Sequence, residues 1–379
     1  MIPPARDTNS PSAIGYDSGL PTISGFFLRL LCAAAAFVVV EGVVFRTGLY
    51  SHVLEPDSTT GLLQSILDDE KRRAVAGPRE VLAIGHSRMG FRARAANELE
   101  GETGYRFATI AMPGSSPRVW YYMLRDVDPT ARRYAAILIG VDEYDDEDTE
   151  DDLSNREMDI RYVTPLLGWA DVLPFAASYP EWRTRWLAAR AALFKGYAYR
   201  ADFQDFLAHH RSRMEKIAVM RREDGPRRYN EIWGSSDVTD LSVDWKTGTI
   251  HYPEGSTESQ KRILTEVLLR GTAEQTGLRG KYLRQWYGLI AERYRGSRTK
   301  VVFLRLPRGP VVRPFVVASK TAVARELAAS NAQVRLIGEH AFDSLEQPRF
   351  FGDPMHLNHV GSQEFSRMAA RETASLLGR

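Results

Sequence analysis

Residues 80–90 read Glu80-Val81-Leu82-Ala83-Ile84-Gly85-His86-Ser87-Arg88-Met89-Gly90. The apolar run is continuous rather than alternating, and it stops at a glycine. That pattern predicts a strand buried on both faces, as in a parallel sheet. Four further runs have the same form, at 107–112, 135–141, 301–306 and 334–337. Helical patterns lie between most of them. The chain therefore reads as a doubly wound α/β fold with a central parallel sheet of about five strands.

The spacing is uneven. The third and fourth runs lie about 160 residues apart, whereas a parallel crossover needs only a dozen or more. Residues 150–297 are therefore read as a largely helical insertion, with helical patterns around 181–195, 200–222, 257–272 and 279–295. The insertion holds six of the seven tryptophans.

Upstream of the sheet, residues 26–45 are predominantly apolar and interrupted only by Arg29 and Glu41. Twenty residues match the roughly 20 that a helix needs to cross a bilayer. Arg29 and Glu41 lie near the ends, where long side chains can reach headgroups. A cleaved signal peptide fits less well, because no small-residue cleavage site follows Val40. Cys32 does not resemble a lipidated cysteine, since Leu31 precedes it and the apolar run follows it. A buried N-terminal helix is the soluble alternative. Arg6 and Arg29 precede the apolar core and Arg46 follows it, a bias that places the bulk of the chain outside the cytoplasm.

Residues 1–25 are rich in Pro, Ser and Gly and are expected to form a disordered tail. Residues 46–78 carry a mixed-charge helical pattern over 56–77 and are expected to link the anchor to a domain at 79–379. A content of 44% hydrophobic and 26% charged residues suits a globular domain with a real core. The net charge of +2 argues against a nucleic-acid partner. Cys32 is the sole cysteine, so packing must hold the fold without an internal disulfide.

Two short motifs carry chemistry. Ser87 follows the first strand, at the start of a helical turn. There its hydroxyl would be exposed beside backbone N–H groups able to stabilise an oxyanion. Capping that turn is the simpler role for the serine. The second motif, Asp353-Pro354-Met355-His356-Leu357-Asn358, follows the last strand run. A hydroxyl nucleophile needs a base, and the base needs a partner that fixes its tautomer. An Asp three residues before a His on a tight turn can accept from one ring nitrogen and leave the other facing the serine.

At this point the chain resembles the SGNH, or GDSL-like, hydrolases. Gly85-His86-Ser87 matches their nucleophile block. Gly114, in Met112-Pro113-Gly114-Ser115-Ser116-Pro117, matches the glycine of the second block. Gly140-Val141-Asp142-Glu143 falls on the third block, G-x-N-D, and Asp353 to His356 on the last, D-x-x-H. The match covers about residues 79–145 and 300–375. The resemblance implies a flavodoxin-like three-layer α/β/α sandwich. It also implies a triad of Ser87, His356 and Asp353, and an oxyanion hole at Ser87, Gly114 and position 142. No metal and no cofactor are implied.

Two positions depart from the pattern. His86 stands where the family has Asp, at a position that serves turn geometry. Asp142 stands where the family has a donating Asn. An ionised carboxylate only accepts, so Asp142 could serve only if protonated. Membrane-anchored members of this type are similar to esterases and O-acetyltransferases that modify cell-surface or exported polysaccharide. The resemblance thus implies an acylated carbohydrate or small ester as substrate, a periplasmic location in a Gram-negative cell, and cell-envelope partners. A second expectation is an inactive SGNH-fold protein that binds polysaccharide or assembles an envelope complex. An α/β-hydrolase fits poorly, because Gly90 is one residue late for G-x-S-x-G.

Other features are weaker. The acidic run 142–152 reads as a solvated loop rather than a cation site. The basic stretch 209–228 reads as a solvated amphipathic helix rather than an anion-binding surface. Trp182 and Trp186, one helical turn apart, are expected to anchor the insertion to the core, with sugar stacking as the rival role. Arg305 and Arg308 end the fourth run, where they could reach a substrate carboxylate. His359 is read as structural.

Overall fold

The computed structural model describes residues 23–73, 79–141, 153–222, 238–269, 277–311 and 322–378. Seven strands occur among them. They are β1 (Glu80–Ile84), β2 (Arg106–Thr109), β3 (Ala136–Val141), β4 (Ser242–Asp244), β5 (Thr249–His251), β6 (Lys300–Arg305) and β7 (Val334–Leu336). Five of these pair in parallel, in the order β2-β1-β3-β6-β7. The chain is α/β, as its apolar runs predict. The order reverses beside β1, so a topological switch point lies between the carboxyl ends of β1 and β3. That is where open α/β sheets expose ligand-facing groups.

Both faces of the sheet are covered, which is why the strand sequences do not alternate. Leu82, Ile84, Ile137, Ile139 and Phe303 face helices Thr59–Arg72, Pro117–Val127, Gly277–Arg293 and Ala322–Ser330, and meet Leu63, Leu67, Trp120, Tyr287 and Val323. Val81, Ala83, Leu138, Val302 and Leu304 face the other way. They meet Phe91 and Phe365, the latter on helix His359–Leu377. Each large apolar side chain removed from water in these layers contributes about 1.5–3 kcal/mol.

Three features add to the expected organisation. The helix expected to link anchor and domain spans Thr59–Arg72, and its Leu63 and Leu67 are fully buried against the sheet layer. It is a structural member of the sandwich, and Ser58 caps it by accepting from Gly61 N at 3.0 Å. Helix Gly277–Arg293, within the expected insertion, packs on Pro117–Val127. Within the insertion, β4 and β5 form an antiparallel hairpin that was not anticipated. The expected tail falls mainly on residues outside the described set, as does the acidic run 142–152.

Helix Ile23–Val40 continues into a π-helical turn, Glu41–Phe45. Within this segment, Gly25–Phe45 is long and apolar enough to cross a membrane. Glu41 corrects its expected role. It is buried, and its carboxylate accepts from Lys195 N at 2.6 Å and Gly196 N at 2.9 Å. A carboxylate at amides that open a helical turn is favourably placed, so Glu41 faces the domain rather than headgroups.

Candidate active site

The site grows from the end of β1. Gly85 leaves the strand, and His86 caps the 3-10 turn Ser87–Met89, its Nδ1 accepting from Arg88 N at 3.2 Å. His86 thus serves turn geometry, the role expected of it. The turn packs down because Gly140 of β3 lacks a side chain: a Cβ there would lie 2.6 Å from Met89 Sδ. Ser87 is left half-buried at the sheet's carboxyl edge.

The Asp353–His356 turn is built locally. Phe351 and Leu357 form an antiparallel bridge, and Gly352 N donates to His356 O at 2.9 Å. Asn358 holds the turn to the final helix, its Oδ1 accepting from Gly361 N at 2.9 Å. Its Nδ2 donates to Arg349 O at 2.7 Å. Inside the turn, Asp353 Oδ1 accepts from the amides of Met355 and His356, each at 2.7 Å, while Oδ2 meets His356 Nδ1 at 2.7 Å. Burial alone raises the Asp353 carboxyl. The hydrogen bond and charge of His356, with the two amides, outweigh burial and hold the group below its ordinary range.

The long-range join is one hydrogen bond: His356 Nε2 lies 2.9 Å from Ser87 Oγ. With Nδ1 protonated toward Asp353, Nε2 can accept the serine proton. The three side chains grouped from sequence are therefore in direct contact, in the order Ser87–His356–Asp353.

Gly114 lies in the turn beside them. Ser115 Oγ donates to Met112 O at 2.6 Å and lies 3.2 Å from Gly85 O, and Trp120 Nε1 donates to it at 2.7 Å. These bonds pin the 112–115 turn against the strand end that carries Ser87. Gly114 has φ +63°, a conformation that favours glycine, and a Cβ would meet the Tyr162 hydroxyl at 3.0 Å. The Ser87 and Gly114 amides donate to no acceptor among the described residues. Asp142, the third expected contributor, lies outside the described set.

Two arginines were not singled out from the sequence. Arg88 is buried and donates from Nε to Met355 O at 3.1 Å, and from Nη2 to Pro307 O and Arg308 O, each at 3.1 Å. It ties the serine turn, the end of β6 and the histidine turn together. An arginine after a strand-end serine carries no pattern that announces this. Arg156 places Nη2 3.8 Å from the position a Gly114 Cβ would occupy, while its Nη1 lies 4.0 Å from Asp159 Oδ1. Arg305 and Arg308 correct their expectation. Arg308 Nε meets both Glu346 oxygens, at 2.6 and 2.8 Å, and Arg305 donates to Asp343 at 3.1 Å. Their charges are met by protein carboxylates and not held open for a ligand. His359 contacts Gln363 on the surface and takes no part in the site.

No family model, curated protein or solved structure matches the chain. The reading of this site rests on its own geometry.

Proposed function

We propose that this chain is a membrane-anchored, extracytoplasmic acyl-ester hydrolase or O-acyltransferase of SGNH type, working through Ser87, His356 and Asp353. One observation carries the proposal. A serine hydroxyl, an imidazole and a carboxylate stand in series at 2.9 and 2.7 Å, at the switch point of a parallel sheet. The strand order and the four motif blocks at the strand ends support the SGNH assignment. The apolar helix at Gly25–Phe45 supports the anchor.

In this mechanism Ser87 Oγ attacks the ester carbonyl carbon as His356 Nε2 takes its proton. Asp353 holds the ring and stabilises the imidazolium. The oxyanion forms toward the Ser87 and Gly114 amides. His356 then protonates the leaving alcohol, and an acyl-serine remains. Water or a sugar hydroxyl, deprotonated by His356, attacks it and regenerates Ser87. The side of the membrane and a polysaccharide acceptor come from the family resemblance and the positive-inside bias.

The test is labelling of the full chain by a fluorophosphonate, together with hydrolysis of p-nitrophenyl acetate. Wild type should label and turn over, and Ser87→Ala should do neither. The Asp at position 142 favours one other reading, a catalytically inert polysaccharide-binding or assembly protein. A folded wild type that resists the probe and spares the ester, yet binds polysaccharide, would favour that reading instead.

A further inference from the structure

The anchor does not end in a flexible tether. Besides the two amides held by Glu41, Arg46 donates to the carbonyls of Ala192 and Leu193, the latter at 2.8 Å. Its guanidinium lies 3.4 Å from the Trp169 ring centroid. Phe45 is buried among Tyr50, Tyr199 and Phe203. This fit needs Gly196, where a Cβ would come within 2.7 Å of the Phe45 ring. Further back, Phe37 contacts Phe194, with ring centroids 5.7 Å apart. Phe37 precedes Phe45 by about 12 Å of helix, at 1.5 Å per residue. The end of helix Trp182–Leu193 therefore sits beside the apolar segment, inside the level at which that segment stops.

The surface next to this junction has the wrong polarity for water. Helices Val172–Ala177 and Trp182–Leu193 pack on each other. The first buries Val172, Phe175 and Ala176 and leaves Leu173 78% exposed. The second buries Thr184, Ala188 and Ala191 and leaves Trp182 80% and Trp186 62% exposed. Trp169, under Arg46, is 63% exposed. These tryptophans do not anchor the insertion to the core, which corrects the expectation for Trp182 and Trp186. Large apolar side chains left exposed on neighbouring packed helices are the kind that take a partner. Tryptophan is the side chain that collects at membrane–water interfaces. Arg183, exposed beside Trp182, suits anionic headgroups.

We propose that the helical pair 169–193 lies on the same bilayer that the apolar helix crosses, with Trp169, Leu173, Trp182 and Trp186 seated at the headgroup level. The proposal rests on the anchor reading, and its test separates the two. Native Cys32, exposed in the apolar helix, takes an environment-sensitive fluorophore directly. A second protein, Cys32→Ser with Leu173→Cys, takes the same fluorophore on the helical pair. A third, Cys32→Ser with Lys246→Cys, labels the exposed β4–β5 turn as a control. Each full-length chain is reconstituted into phosphatidylcholine–phosphatidylglycerol vesicles and quenched by nitroxide lipids or by aqueous iodide.

The expected result is blue-shifted emission at positions 32 and 173. Deep nitroxides should quench position 32, shallow nitroxides position 173 and iodide position 246. Cys32 in lipid with position 173 quenched only by iodide overturns the proposal and leaves the anchor standing. All three positions in water overturns both. A shift at 173 that grows with protein concentration, or that soluble polysaccharide induces without lipid, assigns the face to a second copy or a sugar and also overturns the proposal. Trp182→Ser with Trp186→Ser should reverse the blue shift at 173 without moving the Cys32 signal.

Discussion

Arg88 Nε lies 3.1 Å from the Met355 carbonyl oxygen, which joins the residue after Ser87 to the residue before His356. The same guanidinium reaches the carbonyls of Pro307 and Arg308. One buried side chain thus sets the distance between two turns that carry the hydroxyl and the imidazole.

Arg88→Met should therefore strike both stability and rate. It leaves three inward-facing carbonyls without their donor, at a cost on the order of 2–3 kcal/mol. Thermal melts should register that loss. Ester hydrolysis should fall mainly in kcat, since the variant misplaces Ser87 relative to His356 rather than blocking the substrate. Arg88→Lys should recover little, because an ammonium cannot span three acceptors as a planar fork does.

Asp353→Asn should lower kcat by about 10^4, the size of effect known when an amide leaves a triad histidine in the wrong tautomer. It should also alter acid stability. The folded carboxyl titrates below its ordinary value of 3.8. Its contribution is therefore complete above that value and lost as pH falls through the lower one. Denaturation curves at pH 5 and pH 3 should show wild type losing this increment, and Asp353→Asn lacking it at both.

Gly114→Ala should fold but turn over slowly. The left-handed backbone costs an alanine about 1–2 kcal/mol, and the new methyl presses on the Tyr162 hydroxyl. Adding Tyr162→Phe relieves the contact, removes the hydroxyl's hydrogen bond to Pro113 O and leaves the backbone cost. If the turn positions an oxyanion donor, kcat on p-nitrophenyl acetate should stay low in the double variant, whatever its melting temperature.

Lys195 predicts an alkaline effect where the apolar helix meets the domain. Burial, aided by Arg46, pushes its ammonium down to about 8. Between there and its ordinary 10.5, the unfolded chain holds a proton that the folded chain lacks. Stability should accordingly rise with pH across that window. Lys195→Met should stabilise the detergent-solubilised chain at pH 7 by about 2–3 kcal/mol and flatten the alkaline rise. Chemical denaturation at pH 7 and pH 10 reads both effects.

The sheet was legible in the sequence because parallel strands buried on both faces write themselves as unbroken apolar runs. Each of the five runs holds a strand. Ser87, His356 and Asp353 were legible for a different reason: one follows the first strand and the others share a four-residue turn. The Arg88 staple and the salt bridges of Arg305 and Arg308 were not legible. They depend on which loops meet in space, and charge spacing along the chain does not encode that. Glu41 misled in the same way, since a carboxylate near the end of an apolar run looks the same whether amides or headgroups receive it. Trp182 and Trp186 are expected to anchor the insertion to the core, but one helical turn of spacing specifies a shared face and not its direction.

The Asp353–His356 pair is folded by its own short loop, while its contact with Ser87 spans 269 residues of chain. During synthesis Ser87 emerges first, and its contact with His356 can form only after the histidine turn has been made. On the proposed mechanism, ester hydrolysis by a nascent chain would begin only once residue 356 has been made and folded.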